Sequence, residues 1–176
     1  MSDGRNAELG VGGGDSRTIF PGVINRRPQT TPIEFNGTVR AFLREIGLPK
    51  DAFYLPFAPL DDRYRATYCL DNCAHAEREG LGVAVYGWII WEARKHRFIE
   101  AEFHSVLRQG DELMDITPRP DGEEKILFVP DPARIPVFGP RGWTTYSNFI
   151  SRNRVLEASR ASIRGFDAAL RQPVSG

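Results

Sequence analysis

Residues 98–117 read FIEAEFHSVLRQGDELMDIT, and their alternation decides the fold. In FIEAEFHSVL (98–107), Ile99, Ala101, Phe103, Ser105 and Leu107 fall on one side. Glu100, Glu102, His104 and Val106 fall on the other. A period of two is that of a strand. Gln109-Gly110-Asp111 supplies a hairpin turn, and ELMDIT (112–117) is the return strand, ended by Pro118. Upstream, GVAVYGWIIWE (82–92) is rich in β-branched and aromatic residues; downstream, KILFVP (125–130) is a further short apolar run. Both predict strands. Strands grouped by hairpins, rather than alternating with helices, imply an α+β fold with an antiparallel sheet. The expected sheet has three to five strands and packs against helices.

Three helices are expected around that sheet. Over 38–47, Val39, Phe42, Leu43 and Ile46 recur at helical spacing, with Thr38 as the cap and Gly47 as the stop. CLDNCAHAERE (69–79) lacks proline, glycine and β-branched residues, and Gly80 follows. At the C-terminal end, Leu156, Ile163, Phe166 and Leu170 predict a helix over about 147–171. Residues 48–62 and 131–144, rich in proline, read as packed or irregular connections. Residues 1–17 hold five glycines and few large apolar side chains, so they are expected to be a disordered lead-in. Residues 18–176 are then one domain.

Composition narrows the function. The chain has 176 residues with 23 Lys plus Arg against 23 Asp plus Glu, a formal charge of zero. Nucleic-acid binding needs clustered cations, so neither nucleic acid nor an anionic membrane surface is an expected partner. No apolar run approaches the ~18 residues of a membrane helix, and no secretory signal is visible. The expected location is the cytoplasm. Two cysteines, Cys69 and Cys73, are too few for a disulfide scaffold or a four-thiolate zinc site.

Three residues carry the candidate chemistry. Cys69 opens the 69–79 helix, where free backbone N–H groups and the helix dipole favour a thiolate. His104 lies on one strand of the hairpin and Asp115 on the other, almost symmetric about the turn. Facing strands lie ~5 Å apart, so the two side chains are plausible partners. A carboxylate beside an imidazole fixes its tautomer and supports it as base to a thiol. Asn72, one turn from Cys69, is a candidate oxyanion donor or a local backbone partner. Trp88 and Trp91 face opposite sides of their strand, one as core and the other as a possible cleft wall. Glu102 shares the His104 face and is a further substrate-contact candidate. Cys73, four residues from Cys69, reads as packing. A zinc site of Cys69, Cys73, His75 and His104 does not close, because residue 75 lies about 240° around the helix from residue 69. No metal and no cofactor is expected.

Cysteine at a helix start, followed by histidine and aspartate on successive strands, resembles the papain-like thiol enzymes. The closest branch is the transglutaminase-like and bacterial cell-wall peptidase group. The string HSVLRQGDELMDITP (104–118) is similar to that group's strand histidine, glycine turn and aspartate before Thr-Pro. A second resemblance is to bacterial and phage proteins that share a YGWxIWE string, here Tyr86–Glu92, an EAEFHxV string, here Glu100–Val106, and a DITP-like string, here Asp115–Pro118. It brings no known activity. The first resemblance implies a papain-like core and a Cys69–His104–Asp115 triad in a hydrolase or acyltransferase. Its substrate would be a peptide, an isopeptide or another amide. The alternative is a non-catalytic module that binds a peptide or protein through Trp88, Trp91, Tyr86 and the aromatic loop 53–59.

Overall fold

The structure is a computed structural model that describes residues 30–94, 97–120, 122–152, 155–157 and 160–163. The 1–17 segment lies outside the described residues. Two helices, α1 (Gly37–Glu45) and α2 (Cys69–Arg78), accompany a mostly antiparallel sheet. Its strands are β1 (Phe53–Pro56), β2 (Val83–Ala93), β3 (Phe98–Gln109), β4 (Glu112–Met114) and β5 (Lys125–Pro130). After these come β6 (Val137–Gly139), β7 (Gly142–Tyr146), β8 (Phe149–Arg152), β9 (Val155–Glu157) and β10 (Arg160–Ile163). The main sheet runs β1-β5-β2-β3-β8-β9, with β4 also paired to β3; β10-β7-β6 form a second sheet. Seven strands in the main sheet exceed the expected three to five.

The β2–β3 hairpin is the spine, in register from Val83↔Arg108 to Ala93↔Phe98. Period-two alternation sorts its side chains as the sequence predicts. Trp88, Ile90, Ile99, Ala101 and Phe103 join Val39, Phe42, Leu43 and Cys69 in the helix-covered core. Ile89, Trp91 and Val106 join Leu55, Ile126 and Phe128 on the other face. That second face is enclosed by the sheet itself. One residue beyond β4, the Asp115 N–H donates to the Pro56 carbonyl at 3.1 Å, and the Asp115 carbonyl accepts from the Ala58 N–H at 2.9 Å. This parallel Phe57–Asp115 bridge ties the end of β4 to the end of β1. The ring β1-β5-β2-β3-β4 is thereby closed at one end, which removes two free edges.

Four expectations change here. The cap of α1 is Asn36, whose side-chain oxygen accepts from the N–H groups of Thr38 and Val39; Thr38 is already inside the helix. The 48–62 segment contains β1, which pairs with β5 from Phe53↔Phe128 to Pro56↔Lys125. The 131–144 connection contains β6 and the start of β7. The C-terminal helix over 147–171 is absent wherever that stretch is described: Phe149–Arg152, Val155–Glu157 and Arg160–Ile163 are strands. Phe166 and Leu170 lie outside the described residues. The helical spacing of Leu156 and Ile163 was overridden by long-range pairing, because Arg160–Ile163 pairs with Tyr146–Trp143. Strand preference in such segments is set by tertiary context more than by local pattern.

Gly87 is fixed by close approach. It lies opposite His104 on β3 and Pro130 on β5. A Cβ there would stand 2.2 Å from the Val129 carbonyl oxygen and 2.7 Å from Cζ of Phe128. The first obstacle is backbone, which cannot rotate away. Gly87→Ala is therefore expected to cost about 3 kcal/mol, the upper end of ordinary overpacking. Urea unfolding of the two proteins measures it, and a loss below about 0.5 kcal/mol would contradict the packing described.

Candidate active site

Cys69 is the first residue of α2, and helical bonding begins with the Asn72 N–H on the Tyr68 carbonyl at 2.9 Å. The N–H groups of Cys69, Leu70 and Asp71 therefore have no partner within the helix. Tyr68, at the cap position, makes no side-chain cap bond. Just before it, Thr67 has φ of 71°. A β-branched residue in the left-handed region is strained, and such strain concentrates at functional sites. It turns the chain sharply into the helix that begins with the thiol.

His104 lies within the long β3 strand, next to a gap. β2 occupies one edge of β3 along its length. On the other edge, β8 pairs with residues 98–101 and β4 with residues 107–109. Residues 102–106 have no ladder partner on that edge among the described residues. Asn148 partly fills the gap: its side-chain oxygen accepts from the Phe103 N–H at 3.3 Å, and its amide donates to Glu100 at 2.6 Å. His104 sits in the middle of this stretch, buried, with Nε2 3.0 Å from Oδ1 of Asp115. The Cys69 thiol is close enough to His104 to raise its proton affinity. Because Nε2 is committed to Asp115, Nδ1 is the ring nitrogen left for a thiol.

The pairing of His104 with Asp115 differs in detail from the expected one. The ladder register Leu107↔Met114 and Gln109↔Glu112 places the centre of the turn between Gly110 and Asp111. The position opposite His104 would be residue 117, and Asp115 is its diagonal neighbour. Diagonal neighbours share a face and lie within reach of long side chains. The β4 ladder ends at Met114 instead of continuing to residue 117. Asp115 leaves it to bridge to Phe57, and its Oδ1 also accepts from the Thr117 N–H at 3.0 Å. Asp115 is fully buried and pinned through backbone and side chain together.

Charge at the site is coupled. Burial pushes the His104 pKa down, but the charges of Cys69 and Asp115, with hydrogen bonds to both, outweigh it and raise the value to about 10. A histidine whose folded pKa lies above its unfolded value stabilises the fold in its protonated form. That contribution is full below the unfolded pKa of about 6.5 and is lost as pH rises through the folded value. The stability of the wild type relative to His104→Gln is thus expected to fall between pH 7 and pH 10. Urea midpoints of both proteins across that range test it; a flat difference would show that His104 is neutral in the fold. Burial pushes the Cys73 thiol well up, so Cys73 stays protonated inside the core.

The other sequence candidates have different places. Asn72 does not serve as an oxyanion donor. Its amide nitrogen donates to the Arg65 carbonyl at 2.9 Å and to the Thr117 hydroxyl at 3.3 Å, which uses both hydrogens. It pins the helix start to the Asp115 turn. Trp88 is not placed to contact substrate: it is fully buried, meets Phe103 edge-on and Phe149 at a tilt, and donates to Asp131 at 2.9 Å. Trp91 does face the opposite side, but it is buried as well, so neither tryptophan lines a cleft. Its indole N–H donates to Glu102 at 2.7 Å, so Glu102 is a half-buried partner of Trp91. His75 packs edge-on against Tyr64, with Nε2 3.2 Å from Glu79. Among the described residues, the grouping with metal-ligand proximity is Asp61, His75 and Glu79. The Arg63 guanidinium already binds both carboxylates, at 2.5 Å and 3.4 Å, so an internal cation fills that place.

Sequence reasoning missed Thr117, Arg119 and Gly87 as parts of the site. Thr117 and Arg119 stand in DITPR (115–119) and Gly87 in YGW (86–88). The DITP-like and YGWxIWE strings contained the signal, but nothing local shows that Thr117 faces Asn72. Comparison with family models, curated proteins and solved structures finds no match for this chain.

Proposed function

We propose that this protein is a thiol hydrolase or acyltransferase of the papain-like, transglutaminase-like kind. In it Cys69 is the nucleophile, His104 the base and acid, and Asp115 the residue that orients His104. The observation that carries this reading is His104 Nε2 held 3.0 Å from fully buried Asp115, with Cys69 at the start of α2 close enough to raise the proton affinity of His104. His104 takes the Cys69 proton as the sulfur attacks. The thiolate attacks the carbonyl carbon of an amide, and the negative oxygen that forms is met by N–H groups at the start of α2. The C–N bond breaks as the imidazolium passes its Nδ1 proton to the departing amine, leaving a thioester on Cys69. Water or a second amine then attacks the thioester, gives its proton to His104 and releases the thiolate. The chemistry needs no cofactor. A reducing compartment such as the cytoplasm suits two free thiols. No helix among the described residues is long and apolar enough to cross a membrane.

The test is selective alkylation. Cys69 is 9% exposed and Cys73 is 0% exposed, and Cys69 is the cysteine that acts on the proton affinity of His104. Iodoacetamide at neutral pH, read by peptide mass spectrometry, is expected to label Cys69 at least tenfold faster than Cys73. His104→Ala should reduce that preference. Equal labelling of both cysteines, unchanged by His104→Ala, would remove the enzyme reading and favour a binding module.

A further inference from the structure

We infer that Arg119 is the fourth member of the Cys69–His104–Asp115 group, a positioning residue whose largely shielded positive charge sets the pH range in which the thiolate–imidazolium pair exists. The inference rests on the thiol-enzyme reading. Asp115 uses Oδ1 for both His104 and the Thr117 N–H, while its buried Oδ2 makes no hydrogen bond among the described residues. The Arg119 Nη1 stands 3.8 Å from that Oδ2. Arg119 is no loose surface cation: its side chain is 10% exposed, and its guanidinium carbon lies 4.7 Å above the Trp91 ring. Trp91 is held in turn by Glu102 at 2.7 Å. Seated on the Trp91 ring, the guanidinium places its charge beside the Asp115 oxygen that His104 does not use.

The charge arithmetic explains why it matters. Thiolate, imidazolium and carboxylate together hold a net negative charge in a buried site. Such a site is relieved by taking up a proton, and Cys69 is the group whose protonation ends the nucleophile. Arg119 makes the four-member group neutral without that proton. The other titratable groups acting on the cluster are Cys73 and Glu77 from α2 and Tyr86 from β2. Glu102 stands on β3 beside Trp91. Each of these is neutral or negative, so none replaces the Arg119 charge. Removing a positive charge raises every nearby proton affinity, so both limits of the ion-pair range move to higher pH.

The experiment is the pH profile of Cys69 alkylation in the full chain, for wild type, Arg119→Met and Arg119→Lys, with thiolate absorbance near 240 nm as a second readout. Arg119→Met keeps the stem packed on Trp91 and deletes the charge. Its acid limb should move up by about one pH unit, a roughly tenfold slower labelling at pH values on that limb. Arg119→Lys keeps the charge and should follow the wild type within about threefold. If Arg119→Met does not fold, Arg119→Gln carries the same comparison. Superimposed profiles for the wild type and the neutral variant, both folded, would overturn the role of Arg119 and leave the triad standing. A wild type whose Cys69 shows no preference over Cys73 would overturn the triad itself, and this role with it.

Discussion

His104→Ala is expected to slow acyl transfer from an activated ester or amide by roughly 10³-fold or more, the range that positioned general acid–base catalysis supplies. Two losses combine. The base that takes the Cys69 proton disappears, and the acid that protonates the departing amine disappears with it. The second loss distinguishes substrates. An activated ester leaves without a proton, so its hydrolysis should fall less than that of an amide. Stability should fall too, and most below pH 7, where protonated His104 contributes fully and its loss leaves buried Asp115 without that partner, so each rate is compared on folded protein. Product release and loss of ester, followed by chromatography and absorbance for wild type and variant, check both statements. A variant retaining more than about a tenth of the wild-type amide rate would show that His104 is not the acid.

Much of this site was legible because strand parity is local. His104 and Asp115 fall on one face whether the turn centre is placed at 109.5 or, as found, at 110.5. A one-residue error in the centre moves the partner by two positions and keeps the face. Cys69 at the helix start was likewise readable from the absence of helix breakers after it and from Gly80, whose φ of 72° ends the helix. What stayed hidden depends on residues far apart in sequence. Nothing local says that Asn72 meets Thr117, 45 residues on, or that Trp143 donates to Asp71 across 72 residues. The mistaken C-terminal helix has the same origin: β10 is defined by its pairing with β7.

The closure of the strand ring is the less visible half of the design. β4 alone is three residues long, too short to hold a buried carboxylate in place. The bridge from Asp115 to the end of β1 supplies the anchor, and Asn72 ties the same turn to α2. The nucleophile and the residue that orients its base are thus braced against each other. Rigid support of this kind keeps reacting groups in geometry, where displacements of an ångström are costly.

Asp115→Ala is expected to give the largest stability loss, about 3–5 kcal/mol, the cost of breaking a buried ion pair by removing one partner. A domain of this size has a total stability of only ~5–15 kcal/mol, so the variant should unfold at markedly lower urea. Alanine removes the acceptor of His104 Nε2 and of the Thr117 N–H, and it takes the counter-ion from Arg119. His104 and Thr117 are buried, so water does little to replace their lost partner. Asp115→Asn separates the contributions. Its side-chain oxygen still accepts from both His104 and Thr117, so the turn and the ring orientation survive while the charge is lost. That variant should lose about half as much stability, and Cys69 labelling should fall less than in His104→Ala. Urea midpoints and iodoacetamide rates for the two Asp115 variants provide the comparison. If Asp115→Ala is as stable as the wild type within about 1 kcal/mol, the carboxylate is not the buried keystone of this turn, and the argument for its role beside His104 fails with it.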